Sequence, residues 1–510
     1  VEDGCCRGLT ELTPAQPPSF AAPGHGPFAP PPAPARAMNL PAHPAGASLP
    51  LPGATGPRLY RVGTLTYTKG ALLQVVFWML WGDFFFQLLE AMQTLTPLLL
   101  RWHGASDTLI GLVGGTLSSI VAFFWYPVVA TQSDRHRGPL GRRRPFLLWC
   151  LPPVVLSLML LGAARPAGVR LQQLFAACGV HTLSAATCSI AWISLFVVVF
   201  LLFNAYVVQV FACLVADVIP AEVIGKFTGL YRAVGALGSL AFNRWALGWA
   251  EAYTFHLYLL IGLLFAGAFV IIVWKVKEGT YPPPPPRAPG GALGSIREYL
   301  RTSFRHPFYL TNFVVTLFYW SSLVPLNYVV FFATQAGKEG YAPTLGLSLQ
   351  AFGEVKGWTF MVQIPVFFLV GFGVDYFHPM RVAVIGMALT AASYFCCFWF
   401  VHHQSSLLLW WSLNQVAIAM FLGAASALGP RLMPRERYGQ LISANLIFGM
   451  IGLIFAPPLV GGLLQRLGDY RYAFLLCSGL TFCSFLALLA LHAQWKKLGG
   501  ADAYVPPDPG

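Results

Sequence analysis

Residues 71–100 read ALLQVVFWMLWGDFFFQLLEAMQTLTPLLL, a run with two acids, Asp83 and Glu90, and no base. A helix rises about 1.5 Å per residue, so roughly 20 apolar residues cross the ~30 Å hydrocarbon layer of a bilayer. The run is continuous, where a barrel strand would alternate, so it reads as a membrane-spanning helix. The same reading applies to 109–130, 146–161, 197–215 and 257–274. Of the 510 residues, 56% are hydrophobic and 10% charged, against about 25% charged in soluble domains. A soluble fold has too little interior for that much apolar surface. The sequence therefore predicts an all-α membrane protein with twelve transmembrane helices. They are expected near 70–100, 108–131, 145–164, 190–216, 226–250, 255–275, 308–334, 348–374, 380–401, 406–430, 440–464 and 471–493. The mildly apolar residues 165–190 read as an interfacial helix or as the start of the fourth span. The fifth span is weakly hydrophobic and contains Arg232 and Arg244.

Orientation follows from the basic residues of the loops. Arg135, Arg137, Arg142, Arg143 and Arg144 lie between spans two and three. Lys275, Lys277, Arg287, Arg297, Arg301 and Arg305 lie in the middle of the chain, and Arg431, Arg435 and Arg437 between spans ten and eleven. The six loops of the other side share only Arg101, Arg165, Arg170, Lys338, Arg466 and Arg471. The basic loops and both termini are therefore expected in the cytoplasm, with the chain in a bacterial-type inner membrane. Segment 276–307 contains Pro282–Pro286, a stiff extended tether, between six-helix bundles at 58–275 and 308–493. Residues 1–57, rich in Pro, Ala and Gly, read as a disordered tail without a signal peptide, and 494–510 as a second tail. Met38 begins a more ordinary start, which makes 1–37 an over-long gene call in this reading. The halves echo each other. Asp134 and Asp375 each end the second helix of a half, followed by Arg135 and Arg381. Such duplication is the usual build of an alternating-access transporter.

The most specific motif is Ser133-Asp134-Arg135-His-Arg-Gly-Pro-Leu-Gly141-Arg142-Arg143-Arg144-Pro145-Phe146. It resembles the cytoplasmic signature of the major facilitator superfamily. Its long gap before Gly-Arg-Arg-Arg-Pro is similar to the sucrose/proton symporters and the glycoside–pentoside–hexuronide:cation symporters. The resemblance implies two pseudo-symmetric six-helix bundles around a central cavity and transport of a sugar or glycoside. It departs from two relatives: span two lacks the acid of sodium-coupled melibiose-type members, and span four lacks the arginine of plant sucrose carriers. A sodium site and sucrose itself are therefore not implied. Physically, Asp134 at a helix end can pair with basic or helix-terminal groups of a neighbouring span. Such pairs would latch the cytoplasmic ends of the two halves, with Arg135, Gly141, Arg142, Arg143, Asp375 and Arg381 completing the gate. Gly141 permits the turn.

Ionisable groups in lipid are costly and read as functional. Asp83, Gln87, Glu90 and Thr94 fall at i, i+4, i+7 and i+11, on one helix face. Burial in low dielectric favours the neutral form of a carboxylate, so such a group can exchange a proton near neutral pH. Asp83 and Glu90 are thus the expected coupling or substrate groups, lining the cavity. Arg244 is their candidate partner or snorkels to the interface. Weaker substrate candidates are Asn204 and Gln209, Asn312 and Tyr319, Gln363, Asn414 and Gln415, and Asn445, with Trp125 and Trp320 as stacking platforms. Glu354 and Lys356 are placed at the mouth of span eight. Gly111, Gly115 and Ser119 recur every fourth residue, which serves helix packing.

The net charge of +13 comes without a basic stripe interleaved with aromatics, against nucleic-acid binding. The ten cysteines show no CxxC pair or metal spacing. No HExxH, nucleophile triad or ATP-binding motif is present, against an enzyme or a primary pump. The expectation is a monomeric, proton-coupled sugar transporter needing no cofactor; an exporter of another small molecule is the alternative.

Overall fold

The structure is a computed structural model that describes residues 59–91, 94–220, 222–281, 304–334, 340–434 and 437–507. The tail at 1–57 and the proline run of the tether lie outside those residues. The chain enters through a two-stranded antiparallel hairpin, β1 (Tyr60–Val62) and β2 (Leu65–Tyr67). Apart from this small sheet, the named elements are all helical, as expected.

Span one is α1 (Lys69–Ala91) continued by α2 (Leu95–Trp102). Span two is α3 (Asp107–Gly111), a π turn, and α4 (Leu117–Arg135). Span three is α5 (Arg144–Gly162). The short α6 (Ala164–Ala177) is a separate helix beside span four, α7 (Ala185–Val218), which settles the ambiguous 165–190 stretch. Span five is α8 (Ile224–Ala241), prolonged by π and 3-10 turns to Trp249, and span six is α9 (Thr254–Lys275). Span seven is α10 (Pro307–Leu323), a 3-10 turn around Pro325, and α11 (Val329–Ala333). The remaining spans are α12 (Leu349–Phe377), α13 (Pro379–Phe400), α14 (Gln404–Leu432), α15 (Tyr438–Leu467) and α16 (Tyr472–Lys497). Among the described residues ten of these twelve stretches are long and apolar enough to cross a membrane. The other two are spans five and eight, of which span five is weakly apolar and carries Arg232 and Arg244.

Local chemistry sets the ends. Ser106, Ser184 and Ser348 accept the N–H of Leu109, Thr187 and Ala351, capping α3, α7 and α12. Pro307 and Pro379 occupy first helical turns, where the missing N–H has no cost. His378 turns the chain between α12 and α13 at φ 70° and its Nδ1 accepts the N–H of Met380.

The halves meet along α3 and α4 against α15, and along α8 against α12. Small residues make these contacts possible. A Cβ at Gly111 would stand 2.3 Å from the Pro457 carbonyl oxygen, so the Gly111–Gly115 spacing does serve packing. Within the first half a Cβ at Gly238 would stand 2.4 Å from the Phe84 carbonyl oxygen. This closeness of α8 to α1 decides where Asp83 sits.

Candidate functional site: a cavity between the halves and its two ends

Two adjoining cavities lie between the bundles. One, of about 390 Å³, is lined by Gln87, Glu90, Ser118, Ser119, Tyr126 and Asn204 of the first half and by Met450 and Leu453 of the second. The other, of about 330 Å³, shares Glu90, Ser118, Ser119 and Leu453 and adds Thr94, Leu323, Val324, Asn327 and Pro457. Glu90 is common to both. Its Oε1 accepts a hydrogen bond from Asn204 Nδ2 at 3.2 Å, joining α1 to α7. The walls differ in character. The first half presents a carboxylate, amides and hydroxyls, whereas the second presents mostly apolar side chains, with Asn327 as its polar group.

Asp83 does not line this cavity, which corrects the sequence expectation. It is fully buried. Tyr231, Gln87 and Arg232 lie around it, and a Cβ at Gly235 would come within 2.8 Å of its Oδ2. The helical spacing puts Asp83 and Glu90 on one face, but α8 closes over that face at the level of Asp83 and leaves it open at Glu90. Arg244 pairs with neither acid. Its Nη1 lies 3.0 Å from Glu354 Oε1, across the halves. Lys356 likewise reaches across, donating to Thr94 Oγ1 at 3.2 Å.

The other candidates are spread through the helices. Gln209 approaches Cys213 Sγ at 3.8 Å. Asn312 donates to Asn445 Oδ1 at 3.2 Å, which ties α10 to α15. Tyr319 is buried against Phe421. Asn414 is buried and donates to Ser393 Oγ at 2.8 Å. Gln363 is buried in α12 and Gln415 half-buried in α14. Trp125 stands edge-on to Tyr206, and Trp320 packs on Gly449.

At the basic end the arginines of the motif form one cluster. Arg142 holds Asp217 through Nη2–Oδ1 at 2.7 Å and Nε–Oδ2 at 3.3 Å. Arg143 shares Asp217 at 3.1 Å and also reaches Asp134 and Ser133. Glu278, just past α9, accepts the backbone N–H groups of Arg142, Arg143 and Arg144 at 2.8–2.9 Å. Gly141 takes φ 99°, and a Cβ there would meet the Glu278 carboxyl carbon at 2.9 Å, so glycine is required twice over. The Tyr281 ring covers the Arg142 guanidinium at 3.9 Å. Burial, with Asp217 and Glu278 beside it, pushes the Tyr281 phenol up to about 12. All of these partners precede residue 282. The arginine–acid pairs thus tie the loop to its own half in this structure, whereas the sequence reading has them bridging the halves in an outward-open state. The reason is proximity, since Asp134, Asp217 and Glu278 already engage Arg142 and Arg143. Arg135 and Arg381 are exposed, and the Asp375 side chain lies outside the described residues.

The end opposite the basic loops holds a network that sequence reasoning missed. Asp107, fully buried, pairs with Arg101 of its own half. From the second half Tyr341 donates to Asp107 Oδ2 at 2.8 Å, Tyr470 to Oδ1 at 2.9 Å, and Tyr328 to the Asp107 carbonyl at 2.8 Å. These residues come from separate loops and helix ends with no shared spacing, so no pattern announces them. Asp107 follows a capping serine and reads as an ordinary first-turn acid.

No curated protein matches the chain by sequence. The Major Facilitator Superfamily profile matches residues 327–500. Among solved structures, the nucleoside transporter NupG is similar at 13% identity and TM-score 0.61, covering 82% of this chain and 99% of its own. The xylose transporter XylE from E. coli, in an inward open conformation, is similar at 13% identity and TM-score 0.55, covering 82% and 94%. A POT family transporter in complex with 5-aminolevulinic acid is similar at 13% identity and TM-score 0.60, covering 84% and 97%. The twelve helices, these likenesses and the match of residues 327–500 together give this chain the major facilitator fold.

Proposed function

We propose that the chain is a secondary transporter that carries a sugar or glycoside across the membrane by alternating access, driven by proton uptake. The observation that carries the reading is the cavity between the halves, with Glu90 and Asn204 on its wall. A carboxylate and an amide are acceptor and donor for sugar hydroxyls, and a carboxylate in a protein interior can also exchange a proton. Glu90 therefore meets solute and proton in one place. Asp83, sealed against α8, is the second proton group, reached only when α1 and α8 shift. The similarity to a xylose transporter and to a D-xylose-proton symporter supports a sugar and a proton. The apolar second wall, with Met450, Leu453 and Val324, favours a glycoside with an apolar flank over a bare sugar. The basic face is the cytoplasmic one in this reading, and a monomer contains the whole pathway.

The test is uptake into proteoliposomes of labelled mono- and disaccharides and of alkyl and aryl glycosides, with and without an inward proton gradient. Wild type is expected to accumulate a glycoside only with the gradient. Glu90→Gln loses binding and accumulation, and Asp83→Asn loses accumulation while still exchanging solute. No uptake of any member by folded protein would sink the sugar assignment. Accumulation indifferent to pH would sink the proton.

A further inference from the structure

We infer that Asp107 is the acceptor of an outer latch, and that opening of the cavity to the outer side requires the tyrosine hydroxyls of the second half to leave it. The inference rests on the alternating-access reading. The geometry is one buried residue of the first half taking three hydrogen bonds at 2.8–2.9 Å from Tyr328, Tyr341 and Tyr470 of the second. Arg101 is what makes such a latch reversible. It belongs to the same half as Asp107 and neutralises it there, so the ion pair moves as a unit. The groups the second half brings to the boundary are neutral phenols, Tyr470 also accepting from the Arg101 guanidinium, and parting them from the ion pair leaves no unpaired buried charge on either side. The Arg101 guanidinium also lies 4.7 Å from the Phe331 ring of the second half, which closes over the pair when the halves meet. Next to Asp107, Thr108 Oγ1 and Gln465 Oε1 face each other across the halves at 3.5 Å, both at the surface.

That neighbouring pair supplies the measurement. Thr108→Cys with Gln465→Cys reports closure through its oxidative cross-linking rate. Ser119→Cys, on the cavity wall, reports opening through alkylation by a membrane-impermeant thiol reagent added from the outer side. Modified sites are located by peptide mapping, since Cys178 and Cys483 are also exposed. The two bonds to the Asp107 carboxylate are removed by Tyr341→Phe with Tyr470→Phe, which keeps both rings and leaves Tyr328 on the Asp107 carbonyl, and the carboxylate itself is replaced separately by Asp107→Asn. Expected in both backgrounds are a cross-linking rate about tenfold slower and an alkylation rate about tenfold faster than with the latch intact, the tenfold following from a modest shift of a two-state equilibrium. Should Asp107→Asn fail to fold, the double phenylalanine variant carries the test. Unchanged rates in a folded latch variant overturn the inference. Neither readout needs a substrate, so a failure of the sugar assignment would leave this test standing.

Discussion

Replacing Glu278 by alanine removes one carboxylate and strands three backbone donors at once. In the native chain it accepts the N–H groups of Arg142, Arg143 and Arg144 at 2.8–2.9 Å. These groups lead into α5, so a side chain 134 to 136 positions away does the work of a helix cap. Loss of a local cap costs about 0.5–2 kcal/mol, and hydrogen bonds to a charged group contribute about 1.5–3 kcal/mol. Glu278 is half-buried, so water replaces part of what is lost, and about 2 kcal/mol is a fair figure for the three bonds together. That corresponds to roughly a thirty-fold rise in the population of the frayed state. Hydrogen exchange followed by mass spectrometry on micellar protein reads it directly. Amides 142–147 should exchange about 30-fold faster in Glu278→Ala than in wild type, while amides in the second half keep their rates. Glu278→Gln retains one acceptor and should fall between. Equal exchange at 142–147 in wild type and Glu278→Ala would refute the capping role, because no other acceptor reaches those three donors in the geometry observed.

Two further outcomes follow from particular contacts. Gly238→Ala puts a methyl 2.4 Å from a backbone oxygen of α1 that cannot move aside. Overpacking of this kind costs about 1–3 kcal/mol, so its thermal unfolding in detergent should fall several degrees, whereas Gly267→Ala, which meets open space, should not. His378 gives a pH dependence. Burial first, then the cations of Arg431 and Arg381 and the neighbouring His492, hold its ring below the ordinary histidine range. The unfolded chain therefore takes up this proton at higher pH than the folded one. Stability from the neutral ring is full above the unfolded value and is lost as pH falls through the folded one. Melting of wild type from pH 7.5 to 5.5 should drop more steeply than that of His378→Asn, which tolerates the positive φ and can still accept from Met380. Parallel curves would refute it.

The spans were legible because a bilayer demands long, mainly apolar helices, and helices lie near all twelve expected places, ten of them long and apolar enough to cross a membrane among the described residues. The stretch 165–190 and span five were the hardest to read, and span five is the one that brings Arg244 to Glu354 across the halves. Helical periodicity found the face that carries Asp83 and Glu90. It could not tell that Gly235 and Gly238 let α8 seal one acid and leave the other on a cavity wall, since that depends on a neighbour about 150 positions away. The arginines of the basic loop were plain in sequence. Their partners Asp217 and Glu278 lie 75 and 136 positions from Arg142 and share no pattern with it. The outer tyrosines were invisible for the same reason, since a lone tyrosine at a loop or helix end has many ordinary explanations.

The two ends of the molecule handle charge by one rule. At the basic end Arg142 and Arg143 and the acids described as pairing with them, Asp134 and Asp217, belong to the first half, so these pairs survive the proposed rocking of one half against the other. At the outer end the buried pair, Arg101 with Asp107, is again confined to one half. The ion pair that does cross, Arg244 with Glu354, is 38% and 32% exposed. An exposed pair contributes only about 0–1 kcal/mol because water replaces it on parting. A buried pair broken across the halves would instead leave an uncompensated charge, at about 3–5 kcal/mol. A barrier of that size at each opening would slow every cycle. The distribution of charge thus suits the proposed rocking of two bodies: the buried ion pairs described lie inside a half, and the contacts between halves are hydrogen bonds to neutral groups, among them Lys356 on Thr94 and Arg101 on Tyr470, or a pair that water can replace. Placing a charge on the second half at this spot, as Tyr470→Arg would, sets a second cation beside Arg101 with only Asp107 to neutralise both, so it should part the halves at this end and slow the Thr108–Gln465 cross-linking.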